Sequence, residues 1–201
     1  MSYISLDSST SSTTVVVFDD DLNIQTKFQK EHQQIYPSKG FVEHDLEEIY
    51  INLIELMKKA ASISPEPQFI SMTNQRETFA LFDKFTGKPV RNAVVWQCTR
   101  GEKICDNILN NKEYSKLITQ KTGLKANTFF SASKLKWILE NEPNIKEGLL
   151  KGDVLFGTID TYLLYRLTKC REYVTDTTNA SRTLLFNCID NSWDPKLFSI
   201  F

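Results

Sequence analysis

The chain has 201 residues, 41% of them hydrophobic and 24% charged, the balance of a folded globular domain. With 24 Lys+Arg against 25 Asp+Glu, the formal net charge is −1. This supplies no attraction to nucleic acid or to an anionic membrane surface, and neither is expected as a partner. No apolar run approaches the roughly 18 residues of a spanning helix, so membrane insertion is not expected either.

Cys98, Cys105, Cys170 and Cys188 form no C-x-x-C pair, and only two histidines accompany them, so a zinc site is not expected. Their spacing does not suit a secreted disulfide scaffold, and the N-terminus lacks a basic segment followed by an apolar one. The cytoplasm is the expected compartment.

In chain order, Tyr3–Leu6 reads as a strand ending at Asp7. Seven hydroxyl residues follow, Ser8 to Thr14, overlapping a β-branched run over Thr13–Phe18. Asp19-Asp20-Asp21 marks a turn and Leu22–Gln29 a third strand, so the opening reads as an antiparallel meander.

Asp45–Ile63 is the clearest helix. Leu46, Ile49, Leu53, Met57 and Ala60 form an apolar stripe, and Asp45 with Glu48 has the form of a capping box. Strands are expected at Gln68–Thr73, Thr78–Phe82, Ala93–Trp96 and Val154–Phe156, with a turn at Gly87-Lys88-Pro89. Helices are expected at Arg100–Asn110, Lys116–Thr122, Ser133–Asn141 and Thr161–Thr168. Pro195 onward reads as the start of a helix that stops short. A meander followed by alternating helices and strands predicts an α/β domain with a mixed sheet flanked by helices.

Two stretches carry chemistry. A tight hydroxyl-rich turn between strands can direct backbone N–H groups and hydroxyls at phosphate oxygens. Asp7 at the strand end could hold a hydrated Mg²⁺, an ion that takes few protein carboxylates. The plain alternative is a disordered Ser/Thr tail, but the apolar strands on both sides weigh against it. In Asn74-Gln75-Arg76-Glu77-Thr78, a guanidinium that only donates adjoins a carboxylate that only accepts, which matches the hydroxyls of a polyol. An ordinary surface ion pair is the competing explanation.

Several motifs resemble the glycerol kinases of the FGGY carbohydrate kinase family. They are Ile35-Tyr36-Pro37 with Gly40–Asp45, Thr73–Thr78 (TNQRET), Gly87–Pro89 with Asn92–Gln97, Phe129–Asn141, Phe156–Thr161 and Thr178–Asn187 (TNASRTLLFN). The resemblance spans residues 1–201 in register. It implies an actin-like fold of two ribonuclease-H-type domains with ATP between them, this chain supplying an incomplete first domain and none of the second. It implies transfer of the ATP γ-phosphate to glycerol, with homo-oligomerisation of a full-length form left open.

By position, the resemblance places Thr10, Ser11, Ser12 and Thr14 at the nucleotide phosphates and Asp7 at Mg²⁺. Arg76, Glu77, Trp96 and Phe129 fall at glycerol. No catalytic residue falls within the chain, because the family's general base lies beyond residue 201, and these residues alone are expected to be inactive. A kinase for another small polyol or sugar, or a non-catalytic fragment, remains the alternative.

Three departures bear on affinity. Thr14 stands where the family has an arginine reaching the phosphates, a contact worth about 1.5–3 kcal/mol. Ser8 and Ser9 stand for a glutamine and a glycine, and Ser9 would be strained if its φ were positive. Phe129 stands for a tyrosine whose hydroxyl is worth about 0.5–1.5 kcal/mol.

Overall fold

The computed structural model describes residues 2–201. They fall into two compact units: residues 2–35 with His44–Gln75, and Tyr36–Glu43 with Arg76–Phe201.

The first unit holds strands β1 (Tyr3–Ser8), β2 (Ser12–Phe18) and β3 (Ile24–Glu31), the two-residue strand β4 (Gln34–Ile35), helix α1 (Leu46–Ile63) and strand β6 (Phe69–Asn74). Another two-residue strand, β5 (Glu43–His44), lies between β4 and α1 in the chain. The sheet runs β3-β2-β1-β6. β1, β2 and β3 form the expected antiparallel meander, and α1 carries the chain to β6, which lies parallel to β1. This makes the sheet mixed, because only a crossover can return a strand parallel to its partner.

Alternation in β1 and from Thr13 onward in β2 buries Ile4, Leu6, Val15 and Val17 with Leu46, Ile49, Leu53, Leu56 and Ala60 of α1. At the start of α1, Asp45 accepts from the amides of Glu47 and Glu48 at 2.8 and 3.3 Å. The expected capping box is only half made. The Glu48 carboxylate accepts from the Gln33 amide at 3.3 Å, because β3 and its following loop bring that donor within reach.

The second unit is centred on β7 (Phe79–Asp83), antiparallel to both β8 (Ala93–Val94) and β9 (Val154–Thr158). Its helices are α2 (Glu102–Asn110), α3 (Lys112–Thr122), α4 (Ser131–Asn141), α5 (Pro143–Lys151), α6 (Ile159–Leu167), α7 (Thr177–Ala180) and α8 (Pro195–Ile200). A small hairpin, β10 (Phe186–Asn187) with β11 (Ser192–Trp193), precedes α8. One core gathers Ile104, Ile108, Ile118, Leu184, Leu185 and Leu197 between helices. A second packs Phe79, Leu81, Val94 and Val95 against Ile138 of α4.

Several predicted boundaries move for local reasons. α3 begins before Lys116 because the Asn111 side chain accepts from the Glu113 and Tyr114 amides at 3.0 and 3.1 Å. The strand expected over Ala93–Trp96 is shorter, Ala93–Val94, and Trp96 lies in a turn. The turn expected at Gly87–Pro89 falls earlier, at Lys84–Thr86, where Asp83 accepts from the amides of Phe85 and Thr86.

α5 is absent from the periodicity reading because it buries no residue fully and carries Gly148. That glycine lies where a Cβ would come within 2.6 Å of Val154 Cγ2. Close packing against β9 therefore outweighs the helix cost of about 1 kcal/mol. No described helix is long and apolar enough to cross a membrane.

Candidate functional site

Two places in the chain gather the polar residues singled out above, one in each unit.

In the first unit the hydroxyl run does not form one seven-residue turn. Ser8 closes β1 and Ser12–Thr14 open β2, leaving Ser9–Ser11 as the turn. The Ser9 amide closes it on the Ser12 carbonyl at 2.9 Å. No residue from Ser8 to Thr14 has a positive φ, so serine replaces glycine at position 9 without the strain considered above.

Alternation splits the run into two faces. Ser8 and Thr13, paired across the strands, are buried toward α1. Asp7 faces the other way, in register with Thr14 on one side and Thr73 on the other. Ser9 Oγ donates to Asp7 Oδ2 at 2.6 Å, orienting the carboxylate. Thr10 and Ser11 occupy the tip, whereas Ser12 is buried and its hydroxyl accepts from Gln29 Nε2 at 2.9 Å. Asp7, Thr10, Ser11 and Thr14 are thus accessible around one turn, and Ser12 supports it from behind.

Gln75 ties this turn to the interior. Its amide donates to the Ser8 carbonyl at 2.8 Å, and its Nε2 lies 3.4 Å from the Ser9 carbonyl and 3.1 Å from His44 Nδ1. Burial, reinforced by the neighbouring His32, lowers the pKa of His44 to about 4. His44 is therefore a neutral acceptor at Nδ1 near pH 7.

In the second unit, Glu77 is the focal residue. It is 5% exposed and has φ +65°, a left-handed conformation that disfavours a side chain such as glutamate. Two hydrogen bonds and the burial of its neighbour hold it there. Arg182 Nε donates to Glu77 Oε1 at 2.6 Å, Ser131 Oγ donates to the Glu77 carbonyl at 2.9 Å, and the following residue, Thr78, is fully buried. Strain of this kind persists only where surrounding structure over-determines it, and it concentrates at functional sites.

Thr78 Oγ1 accepts from the Trp96 amide at 3.1 Å, which sets Trp96 beside the same corner. The Trp96 and Phe129 rings lie 5.0 Å apart, and the Arg182 guanidinium sits 4.8 Å above Phe130 and 5.9 Å from Phe129. Arg76 is exposed at the start of the corner. Glu77, Trp96 and Phe129 are brought to one corner, where a buried carboxylate paired with Arg182 adjoins an aromatic wall. A small molecule bearing hydroxyls on one side and carbon on the other fits such a surface.

Reading the residues without the fold missed the roles of Arg182, Gln75 and His44. Arg182 was visible as the arginine of TNASRT, but nothing in its spacing links it to Glu77, 105 positions earlier.

Residues 2–201 match the N-terminal domain of the FGGY family of carbohydrate kinases. The chain belongs to this family. It is 49% identical over 205 aligned residues to glycerol kinase 2 of Thermotoga maritima, which takes in 100% of the chain and 41% of the relative. It is 47% identical to a glycerol kinase of Shewanella piezotolerans, covering 98% of the chain and 40% of that protein. The FGGY chain therefore spans about two fifths of the length of these relatives. Among solved structures, a Plasmodium falciparum glycerol kinase with ADP superposes with a TM-score of 0.94 at 39% identity, over 100% of this chain and 40% of that one. A gluconate kinase from Lactobacillus acidophilus, at TM-score 0.85 and 23% identity over 99% of this chain and 39% of that one, shares the fold. The FGGY architecture here is the actin-like α/β arrangement that the motifs led one to expect.

Proposed function

We propose that the chain carries the glycerol-binding wall and the phosphate-facing loop of an ATP-dependent glycerol kinase, in which glycerol and ATP give glycerol 3-phosphate and ADP. The observation that carries this reading is Glu77, a buried carboxylate held in a strained backbone conformation beside paired aromatic rings.

In this reading Glu77 accepts from glycerol hydroxyls while Arg76 donates to them, and Trp96 and Phe129 cover the carbon backbone. Arg182 neutralises the buried Glu77 carboxylate and fixes the angle at which its second oxygen points. Thr10, Ser11 and Thr14 donate to nucleotide phosphates, with Ser12 bracing the turn.

The donor set suits Mg²⁺. Asp7 offers one carboxylate oriented by Ser9, and the described residues contain no cluster of three or more His, Cys, Asp or Glu able to enclose a metal. Mg²⁺ commonly keeps water and phosphate oxygens as most of its ligands. When bound, it neutralises phosphate charge. Asp7 would hold it through water or directly. The proton acceptor for the glycerol hydroxyl is assigned to none of these residues. The cytosol is the proposed location, where unpaired thiols such as Cys98, Cys105, Cys170 and Cys188 persist.

The test is titration of glycerol, erythritol, xylitol and xylulose into the ¹⁵N-labelled chain, following the indole signals of Trp96, Trp137 and Trp193. Glycerol should move Trp96 selectively and bind more tightly than the longer polyols. Tighter binding of a five-carbon compound, or no response at Trp96, would overturn the assignment.

A further inference from the structure

We propose that Lys134 is a positioning residue for the polyol wall, holding the turn that carries Phe129 against Trp96. This rests on the reading of Glu77, Trp96 and Phe129 as the glycerol-binding surface.

Lys134 is 0% exposed, near the start of α4. Local helix physics argues against a lysine there. The positive end of the helix dipole repels a cation, and a buried ammonium is costly unless its donors are satisfied. Burial lowers its pKa to about 7; Cys98, Cys105 and Glu77 oppose that shift and Arg100 adds to it. A leucine or methionine would fill similar volume without this cost. Lysine must therefore do something that its shape alone does not.

What it does is visible in its contacts. Nζ donates to the carbonyls of Thr128, Phe129 and Phe130 at 2.5, 3.0 and 2.7 Å, using all three ammonium protons on three successive residues. The same turn is held from its other end by Asn127, whose Oδ1 accepts from the Phe129 amide at 2.8 Å. The turn leads to Ser131, which grips the Glu77 carbonyl. α4 has no side-chain cap at its N-terminus, so Lys134 is the side chain that orders this entry from within. Phe129 itself is 36% exposed and cannot be held by burial alone. Its ring lies 5.0 Å from Trp96 because its backbone is clamped.

The experiment compares the wild-type chain with Lys134→Met and Lys134→Gln, using the indole signals of Trp96 and Trp193 with and without glycerol. In a folded variant the Trp96 signal should shift before any ligand is added while Trp193 stays in place. The glycerol dissociation constant should rise about tenfold, the scale of losing charge-assisted hydrogen bonds that act through a neighbour. Lys134→Arg, which restores donors and charge, should recover part of that loss.

A folded variant with an unmoved Trp96 signal overturns the proposal, as does glycerol affinity equal to that of the wild type. So does equal movement of both indoles, and so does failure of both substitutions to fold, since Lys134 would then support the whole unit rather than the wall. If the wild-type chain does not respond to glycerol, the proposed function fails. The glycerol-free shift of Trp96 still decides the role of Lys134.

Discussion

In the hydroxyl loop, neighbours on adjacent strands assemble the site, whereas the Glu77 wall is drawn from four separated stretches: Glu77–Thr78, Trp96, Phe129–Ser131 and Arg182. Asp7, Thr14 and Thr73 share a face through sheet register alone. Register is set by hydrophobic alternation, so this site follows directly from local pattern. Glu77 instead depends on partners 54 and 105 residues away and sits in a backbone conformation that no local preference would select. A pattern-built site tolerates substitution on its open face. A contact-built site should fail when one distant partner is removed.

The largest expected effect probes what lies under the loop. His44 keeps a folded-state pKa of about 4 against an ordinary value of 6.5. A base with a lowered folded pKa takes up its proton more readily when unfolded. Stability is therefore full above pH 6.5 and falls as the pH drops toward 4, by about 3 kcal/mol in total. His32, also lowered by burial, adds in the same direction. Urea unfolding at pH 7 and pH 4.5 should show this fall, and His44→Gln should flatten it. An equal slope in both proteins would remove His44 as the cause.

Glu77→Ala tests the wall. It deletes the central acceptor and leaves Arg182 without its carboxylate, and glycerol binding should weaken about 100-fold. Calorimetric or NMR titration giving an unchanged dissociation constant would mean that the ligand does not touch this corner.

Thr14→Arg sharpens the contrast from the loop side. The position lies opposite Asp7 on an accessible strand face, so the new side chain has room. ADP affinity should rise about tenfold through a charge-assisted phosphate contact. No gain in an ADP titration would count against this face as the phosphate side.

Phe129→Tyr is the mildest change. A hydroxyl on a partly exposed ring should tighten glycerol binding a few-fold, the value of one neutral hydrogen bond at about 0.5–1.5 kcal/mol. Equal or weaker binding in the same titration would place the ring edge away from the ligand.

By itself, the amino-acid sequence determined the meander, helix α1 and the positions of Asp7, Thr10 and Glu77 near strand ends, because alternation, helical spacing and caps act over a few residues. Its motifs also determined the family. Tertiary structure alone decided that Ser12 braces the turn rather than lining it, that the Asp45–Glu48 capping box is left half made, and that α5 tolerates Gly148. It alone decided that Glu77 would be bent, buried and matched to Arg182, and that a lysine unsuited to its helix would clamp the turn of Phe129. Those outcomes depend on groups brought together across long loops, and no short-range preference encodes which distant partner arrives.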